Sequence, residues 1–521
     1  MDVKQLKEDV RAGRIDGDRL VELMVRSQRQ LQEAKQESKQ AKQELAQAKQ
    51  ELDQAEQRIK ELEQKLGCSP TEKVKEPFSV RAEEQRQAAR KGKQKQRRKP
   101  KPQRRRGRIT TAEKIAQAKQ TKKVFPAGVA EKDCKWSHTR PVWRLEEGQA
   151  VLVAYEIYRG PKNQYGQIPG VLGRSEFGLE IIVTIAHLVY VVGLSFDKTC
   201  ALLNFFQNLQ LRKSQVDALL NQLSRHWESE FDVLCTLLAN SAVVHADETS
   251  WSINSVWAFL SEKVRVLFFG VHKDAATLAQ ILDPATFAGI VVSDDAAVYA
   301  NFTHAQKCWA HLLRKAIKLT LLEPSNTEYR RLADRLLEIY HAAQRVQRDG
   351  RLSDAGRARK VADLEDEVLE LCGPIWFAEL PPLEGPDNDY RLLGNEIMRL
   401  LLVEELFTFV TAAPVEQPNG ETMPVSGTNN EAERSLRSAA QARKTGRTNK
   451  TILGARRQTV LTSVLESLRL QLPEFTLSSL VNEIQRWSAC GHSCFTDLLR
   501  KLQLQHSLSP ALNALLPVPA D

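Results

Sequence analysis

Val243-Val244-His245-Ala246-Asp247 and Gly289-Ile290-Val291-Val292-Ser293-Asp294 decide the fold. Each is a short run of apolar and small residues that ends in an aspartate. Runs of this length read as buried strands, because β-branched side chains pack well on a pleated sheet. Between them lie two more strand-like runs, residues 256–260 and 264–271, and a helical pattern over 275–282 that stops near Pro284. The order strand, strand, strand, helix, strand predicts an α/β sheet with both acids at strand ends. There a charge avoids the full desolvation of the sheet interior. Aspartate also marks ordinary strand–turn boundaries, so neither acid alone identifies a site.

Each aspartate has an acidic neighbour, Glu248 or Asp295. Adjacent strand residues point to opposite faces, so one acid of each pair faces a given site; the residues alone leave the choice open. A third acidic element, Asn429-Asn430-Glu431-Ala432-Glu433-Arg434-Ser435-Leu436-Arg437, follows a Pro/Gly-rich loop over 411–428. With Asn430 as N-cap, Glu433 takes the capping-box position and serves its own helix. Arg434 and Arg437 then follow along that helix, free to pair with Glu433 or to hold phosphate.

Carboxylates far apart in sequence that converge on a sheet edge suit phosphodiester cleavage. Water must be activated and charge neutralised on the leaving oxygen, and two divalent metals about 4 Å apart supply both. Mg²⁺ takes oxygen ligands, so a few carboxylates with room for water and phosphate are its expected setting.

Four motifs together carry a resemblance. They are His245-Ala246-Asp247-Glu248-Thr249, Ser293-Asp294-Asp295-Ala296-Ala297-Val298-Tyr299, Lys307-Cys308-Trp309-Ala310-His311 and Asn429-Asn430-Glu431-Ala432-Glu433-Arg434. In this order and spacing the chain resembles the DDE transposases of the insertion-sequence-66 family over roughly residues 174–470. The resemblance implies Asp247 as the first acid and Asp294, five residues before Tyr299, as the second. It implies Glu433, not Glu431, as the third. Tyr299, His311 and Asn430 become expected neighbours of that site.

The implied fold is an α/β ribonuclease-H-like catalytic core with an α-helical insertion, for which the 139 residues from Asp294 to Glu433 leave room. The implied reaction is hydrolysis at transposon ends, then attack of the freed 3′-hydroxyl on target DNA, with Mg²⁺ as cofactor and Mn²⁺ able to substitute. Double-stranded DNA is the implied partner. The alternatives are a non-catalytic DNA-binding scaffold derived from a transposase, and a ribonuclease-H-like nuclease that needs no particular DNA ends.

One departure concerns zinc. Members of the family carry a cysteine cluster between coiled coil and core, and here that region offers Cys134 and His138 alone. His304, Cys308 and His311, and the run Cys490-Gly491-His492-Ser493-Cys494, also fall short of a four-ligand set. Structural zinc is therefore not expected.

Outward from the core, residues 1–75 read as a helical, coiled-coil oligomerisation region. Leu31, Ser38, Leu45, Leu52, Ile59 and Leu66 alternate there with Ala34, Ala41, Ala48, Ala55 and Leu62 in a heptad pattern. That pattern predicts a coiled coil and self-association. Residues 76–125 read as a basic, unstructured DNA-binding linker. Between Arg81 and Lys123 stand 18 basic and 3 acidic residues, which leaves the rest of this +10 chain net acidic. Arg97-Arg98-Lys99 and Arg104-Arg105-Arg106 are the expected phosphate contacts.

Residues 126–173 form a small irregular or β segment with a strand-like run at 150–157. Residues 174–240 are helical; helices at 196–206 and 213–227, the second capped by Ser214, would make either a helix-turn-helix or a plain hairpin. The remaining divisions are core (241–324), helical insertion and loop (325–428), core (429–470) and C-terminal helices (471–521). The apolar run 181–194 is too short to span a bilayer and reads as one buried helix. Scattered cysteines and a polar N-terminus fit a reducing cytoplasm.

Overall fold

The computed structural model describes residues 109–377, 385–417, 420–505 and 511–518. The expected coiled coil, and the runs Arg97-Arg98-Lys99 and Arg104-Arg105-Arg106, lie outside the described residues.

The described chain opens with α1 (Thr111–Ala116) and β1 (Gln120–Val124), then β2 (Lys135–Glu146) and β3 (Gln149–Arg159). The unstructured linker expected to run to residue 125 therefore gives way sooner. A local cap and a longer-range strand pairing account for this. Thr110 Oγ1 accepts from Glu113 N at 3.2 Å while Glu113 Oε2 accepts from Thr110 N at 2.7 Å, a reciprocal cap on α1. β1 is mostly exposed, and its parallel ladder to β3 holds it in place of apolar burial. The resulting sheet, ordered β1-β3-β2, has its own small core of Val142, Val153, Tyr155, Ile157 and Ile168.

The apolar run 181–194 is not one regular helix. α2 (Leu179–Ala186) widens into a π-helical turn at His187–Val191. α3 (Phe196–Gln207) follows and ends at Asn208 in the left-handed region, φ 54°. α4 (Lys213–Ala239) starts one residue before Ser214, with Arg212 as its cap residue, and continues well past Trp227. Gln215 Oε1 accepts from Arg212 N at 3.0 Å, the cap that Ser214 was expected to supply. Leu220, Trp227, Phe231 and Leu234 of α4 have no exposed surface. One face of α4 thus packs into the core, while Lys213, Ser214, Arg225 and His226 on it are exposed.

The central sheet comprises β4 (Val243–Ser250), β5 (Ser255–Ser261), β6 (Arg265–Val271), β7 (Ile290–Ser293) and β8 (Ala305–Lys307), with α5 (Ala275–Ile281) between β6 and β7. Its order is β6-β5-β4-β7-β8. β5 runs antiparallel to both of its neighbours, β4 and β6, and β7 and β8 add in parallel to β4. This mixed α/β sheet, predicted from the alternation of strand and helix patterns, is compatible with a ribonuclease-H-like core.

A helical layer follows: α6 (Trp309–Leu322), α7 (Thr327–Arg348), α8 (Asp354–Phe377), α9 (Gly385–Leu402) and the short α10 (Thr408–Thr411). It packs a core of its own around Trp309, Leu336, Ile339, Val368, Ile397 and Phe409. α11 (Asn430–Lys444) and α12 (Ile452–Gln471) return to the sheet, and α13 (Leu477–Cys490), α14 (Cys494–Lys501) and α15 (Ala511–Leu515) complete the described chain.

α12 closes the open edge of β6. The N–H groups of Arg265, Leu267 and Phe269 donate to the hydroxyls of Ser467, Ser463 and Thr459 at 3.0, 2.9 and 3.0 Å. Four residues of helix rise about 6 Å and two residues of strand about 6.6 Å, so hydroxyls at every fourth position meet alternate strand amides. An edge strand that would otherwise offer unpaired amides is thereby satisfied. No helix among the described residues is long and apolar enough to cross a membrane.

Candidate active site

The β4–β7 ladder sets the first two acids. Its last parallel pair is His245 with Val292, so Asp247 and Asp294 each lie two residues further along adjoining strands. Asp247 does not end its strand as expected: β4 runs on to Ser250, paired there with β5 alone. What ends is the β7 side, because β7 stops at Ser293. Asp247 is therefore flanked by strand on one side and by a loop on the other. Its Oδ1 accepts from Glu248 N at 2.9 Å, and Asp294 Oδ1 accepts from Ala296 N at 3.1 Å.

The third acid comes from α11. Asn429, not Asn430, is the cap residue, and its side chain makes no cap bond. Instead Asn429 is fully buried, with Nδ2 donating to Ala246 O at 2.8 Å and N donating to Cys308 Sγ at 3.1 Å. The start of α11 is thus tied to β4 one residue before Asp247. With the helix beginning at Asn430, Glu433 is its fourth residue, so the capping-box role is not available to it. Asn430 itself is exposed.

Glu433 pairs with Arg314 of α6 and lies 3.5 Å from His311 Nε2. Neither Arg434 nor Arg437 has an ion pair with it. Both are exposed on α11, and Arg434 Nε donates to Asn430 O at 3.2 Å. Glu431 turns away to Arg265 at 2.5 Å.

Electrostatics show that the three acids share one neighbourhood. Burial pushes the Asp247 carboxyl up to about 7, and the charges of Glu248, Asp294 and Glu433 push the same way against the Glu248 N–H bond. His311 is held below the usual imidazole range, first by burial and next by Arg314, with Glu433 and Asp294 opposing.

The acidic neighbours are drawn elsewhere. Glu248 accepts from the Tyr299 hydroxyl and holds Lys273 Nζ at 2.6 Å. Asp295 pairs with Arg399 of α9. Tyr299 is therefore engaged with Glu248 and has no exposed surface. Lys307, buried, donates to Ser293 Oγ at 3.3 Å and faces Glu405 at 3.9 Å; burial lowers its pKa.

Cys308, His311 and Glu433 place one ligand atom each within 4.8 Å of the others. That is one short of a four-ligand structural zinc set. Sequence reasoning missed Lys273, Arg314 and Arg399, which no motif marks. It also missed the role of Asn429, although the residue lies within a quoted motif.

Residues 174–374 match the model of the family described as Transposase IS66 family. The match includes Asp247 and Asp294 and ends before Glu433. A comparison with curated proteins found no match. Over residues 174–374 the chain is therefore similar to the IS66 transposase family.

Proposed function

We propose that this protein is a DDE-type DNA transposase that cleaves transposon ends and joins the 3′-hydroxyl to target DNA, with Asp247, Asp294 and Glu433 as its catalytic acids. The observation that carries the reading is geometric: Asp247 and Asp294 each lie two residues beyond the His245–Val292 pair of adjoining parallel strands, and Asn429 ties the start of the Glu433 helix to Ala246. Burial, with the charges of Glu248, Asp294 and Glu433, raises the Asp247 carboxyl accordingly. Carboxylates gathered at such a cost to their ionised forms suit a site built to receive cations. The family match over both aspartates adds independent support.

The donor set fits a hard divalent ion. Asp247, Asp294 and Glu433 would hold Mg²⁺, or Mn²⁺ in its place, through oxygen. Bound there, divalent ions supply activation of the attacking oxygen and neutralisation of the leaving one. The chain's own residues set the stage. Asn429 fixes α11 against β4, which keeps Glu433 within reach of the aspartates. Arg314 of α6 restrains the Glu433 carboxylate through an ion pair. Arg434 and Arg437, exposed on the same helix, are poised for DNA phosphates. The basic runs Arg97-Arg98-Lys99 and Arg104-Arg105-Arg106 would add sequence-independent grip on duplex DNA, and the heptad region would join copies that hold two DNA ends.

The test is cleavage of a DNA fragment carrying the gene's own flanking sequence, with Mg²⁺ or Mn²⁺. Discrete cuts by the wild type, abolished in Asp247→Ala, Asp294→Ala and Glu433→Ala, are expected. Binding with no cutting would overturn the catalytic reading in favour of a scaffold. Cutting without regard to the ends would favour a general nuclease.

A further inference from the structure

Next to Asp247 lies a polar group that the proposed chemistry leaves unused. The Glu248 side chain is 1% exposed and holds both the Lys273 ammonium and the Tyr299 hydroxyl. The backbone beside Lys273 is anchored on both sides. Trp257 Nε1 donates to His272 O at 2.9 Å as the chain leaves β6, and Asp274 caps α5 by accepting from Thr277 N at 2.7 Å.

Lys273 nonetheless keeps 57% of its side chain exposed. Its charge is felt by Glu248 and by both Asp294 and Asp247, which raise its pKa. An ammonium has three donors, and the ion pair with Glu248 uses one. Burying a carboxylate is costly, and apolar packing would serve stability as well. A pair with one partner buried and the other facing solvent beside the acids is suited to holding a cation in place for a ligand.

We propose that Lys273 is a DNA-binding residue of the active site. Its ammonium, aimed by Glu248 and Tyr299, contacts a backbone phosphate of the strand lying at Asp247 and Asp294. Lys273 would touch substrate, while Glu248 and Tyr299 are positioning residues. The inference rests on the transposase reading.

The experiment uses the full chain and the DNA fragment carrying the gene's own flanking sequence. Binding is followed across a salt titration with Ca²⁺ in place of Mg²⁺, and cleavage kinetics with Mg²⁺. For Lys273→Gln, the slope of log affinity against log salt becomes shallower by about 0.9, the value of one duplex phosphate contact. KM rises about tenfold, as for one lost charge-assisted hydrogen bond, with kcat little changed. Lys273→Arg keeps the wild-type slope and KM. Glu248→Gln keeps the slope and shows a smaller rise in KM, because the ammonium remains but is no longer held by a charge. Thermal midpoints identify any variant whose fold is damaged; a merely structural lysine would move the midpoint and not the salt slope. An unchanged slope and KM in Lys273→Gln overturns this inference and leaves the transposase reading standing. A wild type that neither binds nor cuts this DNA overturns both.

Discussion

Asp247-Glu248 on β4 and Asp294-Asp295 after β7 are the same pairing of acids made twice, and the fold treats them alike up to a point. In each, the first acid shares the neighbourhood of Glu433, and the second is taken by a cation from a distant segment: Lys273 for Glu248, Arg399 for Asp295. The difference is burial. The Glu248 side chain is buried against a phenol and the ammonium of an exposed lysine, while the Asp295 side chain keeps 26% of its surface and its arginine 50%. Alternation along a strand separates two neighbours but does not say which faces a site. The cation each neighbour finds is what makes the distinction; among the described residues neither Asp247 nor Asp294 has a cation in an ion pair.

The largest effect that could break this comparison is on catalysis. If Asp247 and Asp294 are the metal-holding members, replacing either with alanine removes several kcal/mol of charge stabilisation, and cleavage falls by about 10³-fold or more. Single-turnover rates on the flanking-sequence fragment check this. A comparable loss in Asp295→Ala with Asp294→Ala active would reverse the assignment at β7.

Next comes stability behind β4. Glu248→Ala leaves the buried Tyr299 hydroxyl without its acceptor, at a cost of about 1–3 kcal/mol. Chemical denaturation should register the loss. Tyr299→Phe removes donor polarity and leaves Glu248 with Lys273, so it should cost less. A Glu248→Ala protein as stable as the wild type would remove burial as the difference between the two pairs.

The pH dependence sharpens the comparison further. Asp247 has a folded pKa raised from 3.8 to about 7, so the folded state binds this proton more tightly than the unfolded chain. Its contribution to metal-free stability is present below about pH 4 and is lost as pH rises towards 7. Mg²⁺ must displace the same proton. The Mg²⁺-induced rise in thermal midpoint should therefore grow between about pH 5 and 8. Asp247→Asn should raise the metal-free midpoint at the upper end of that range and abolish the growth. A Mg²⁺ effect that is flat with pH, in wild type and variant alike, would count against Asp247 as a ligand.

Much of the fold was legible because its signals are local. The runs ending at Asp247 and Asp294 are dense in Val and Ile, and strands formed where that density predicted them, with the helix at Ala275–Ile281 between. Helix ends were read less well. Ser214 and Asn430 have the right chemistry for caps, yet Arg212 with Gln215 caps α4, and Asn429 is drawn away to the Ala246 carbonyl. That bond joins residues 183 apart, a competition no local rule weighs. The π-helical turn at His187–Val191 begins at the one histidine that interrupts the apolar run 181–194, which by itself does not mark a change of helix type. Within the site, the three acids could be nominated from strand ends and motif resemblance. Lys273, Arg314 and Arg399 could not, because a lone basic residue on an exposed surface carries no pattern. One missed feature did have a signal: Thr459, Ser463 and Ser467 recur every four residues along one helix, as an edge-capping face requires.

The smallest expected effect is the most discriminating control. Asp295→Ala breaks an ion pair whose two partners both retain solvent, and such pairs contribute about 0–1 kcal/mol. Stability should therefore stay within that range, and the loss should shrink as salt is added. Cleavage should stay within about threefold of wild type, since less than 1 kcal/mol is at stake. Asp295 adjoins Asp294 in the chain, so damage that spreads along the β7 loop would appear in this variant as well. Near-normal cleavage in Asp295→Ala beside its absence in Asp294→Ala would mean that one residue's shift along the backbone separates an acid of the reaction centre from a surface contact to the helical layer.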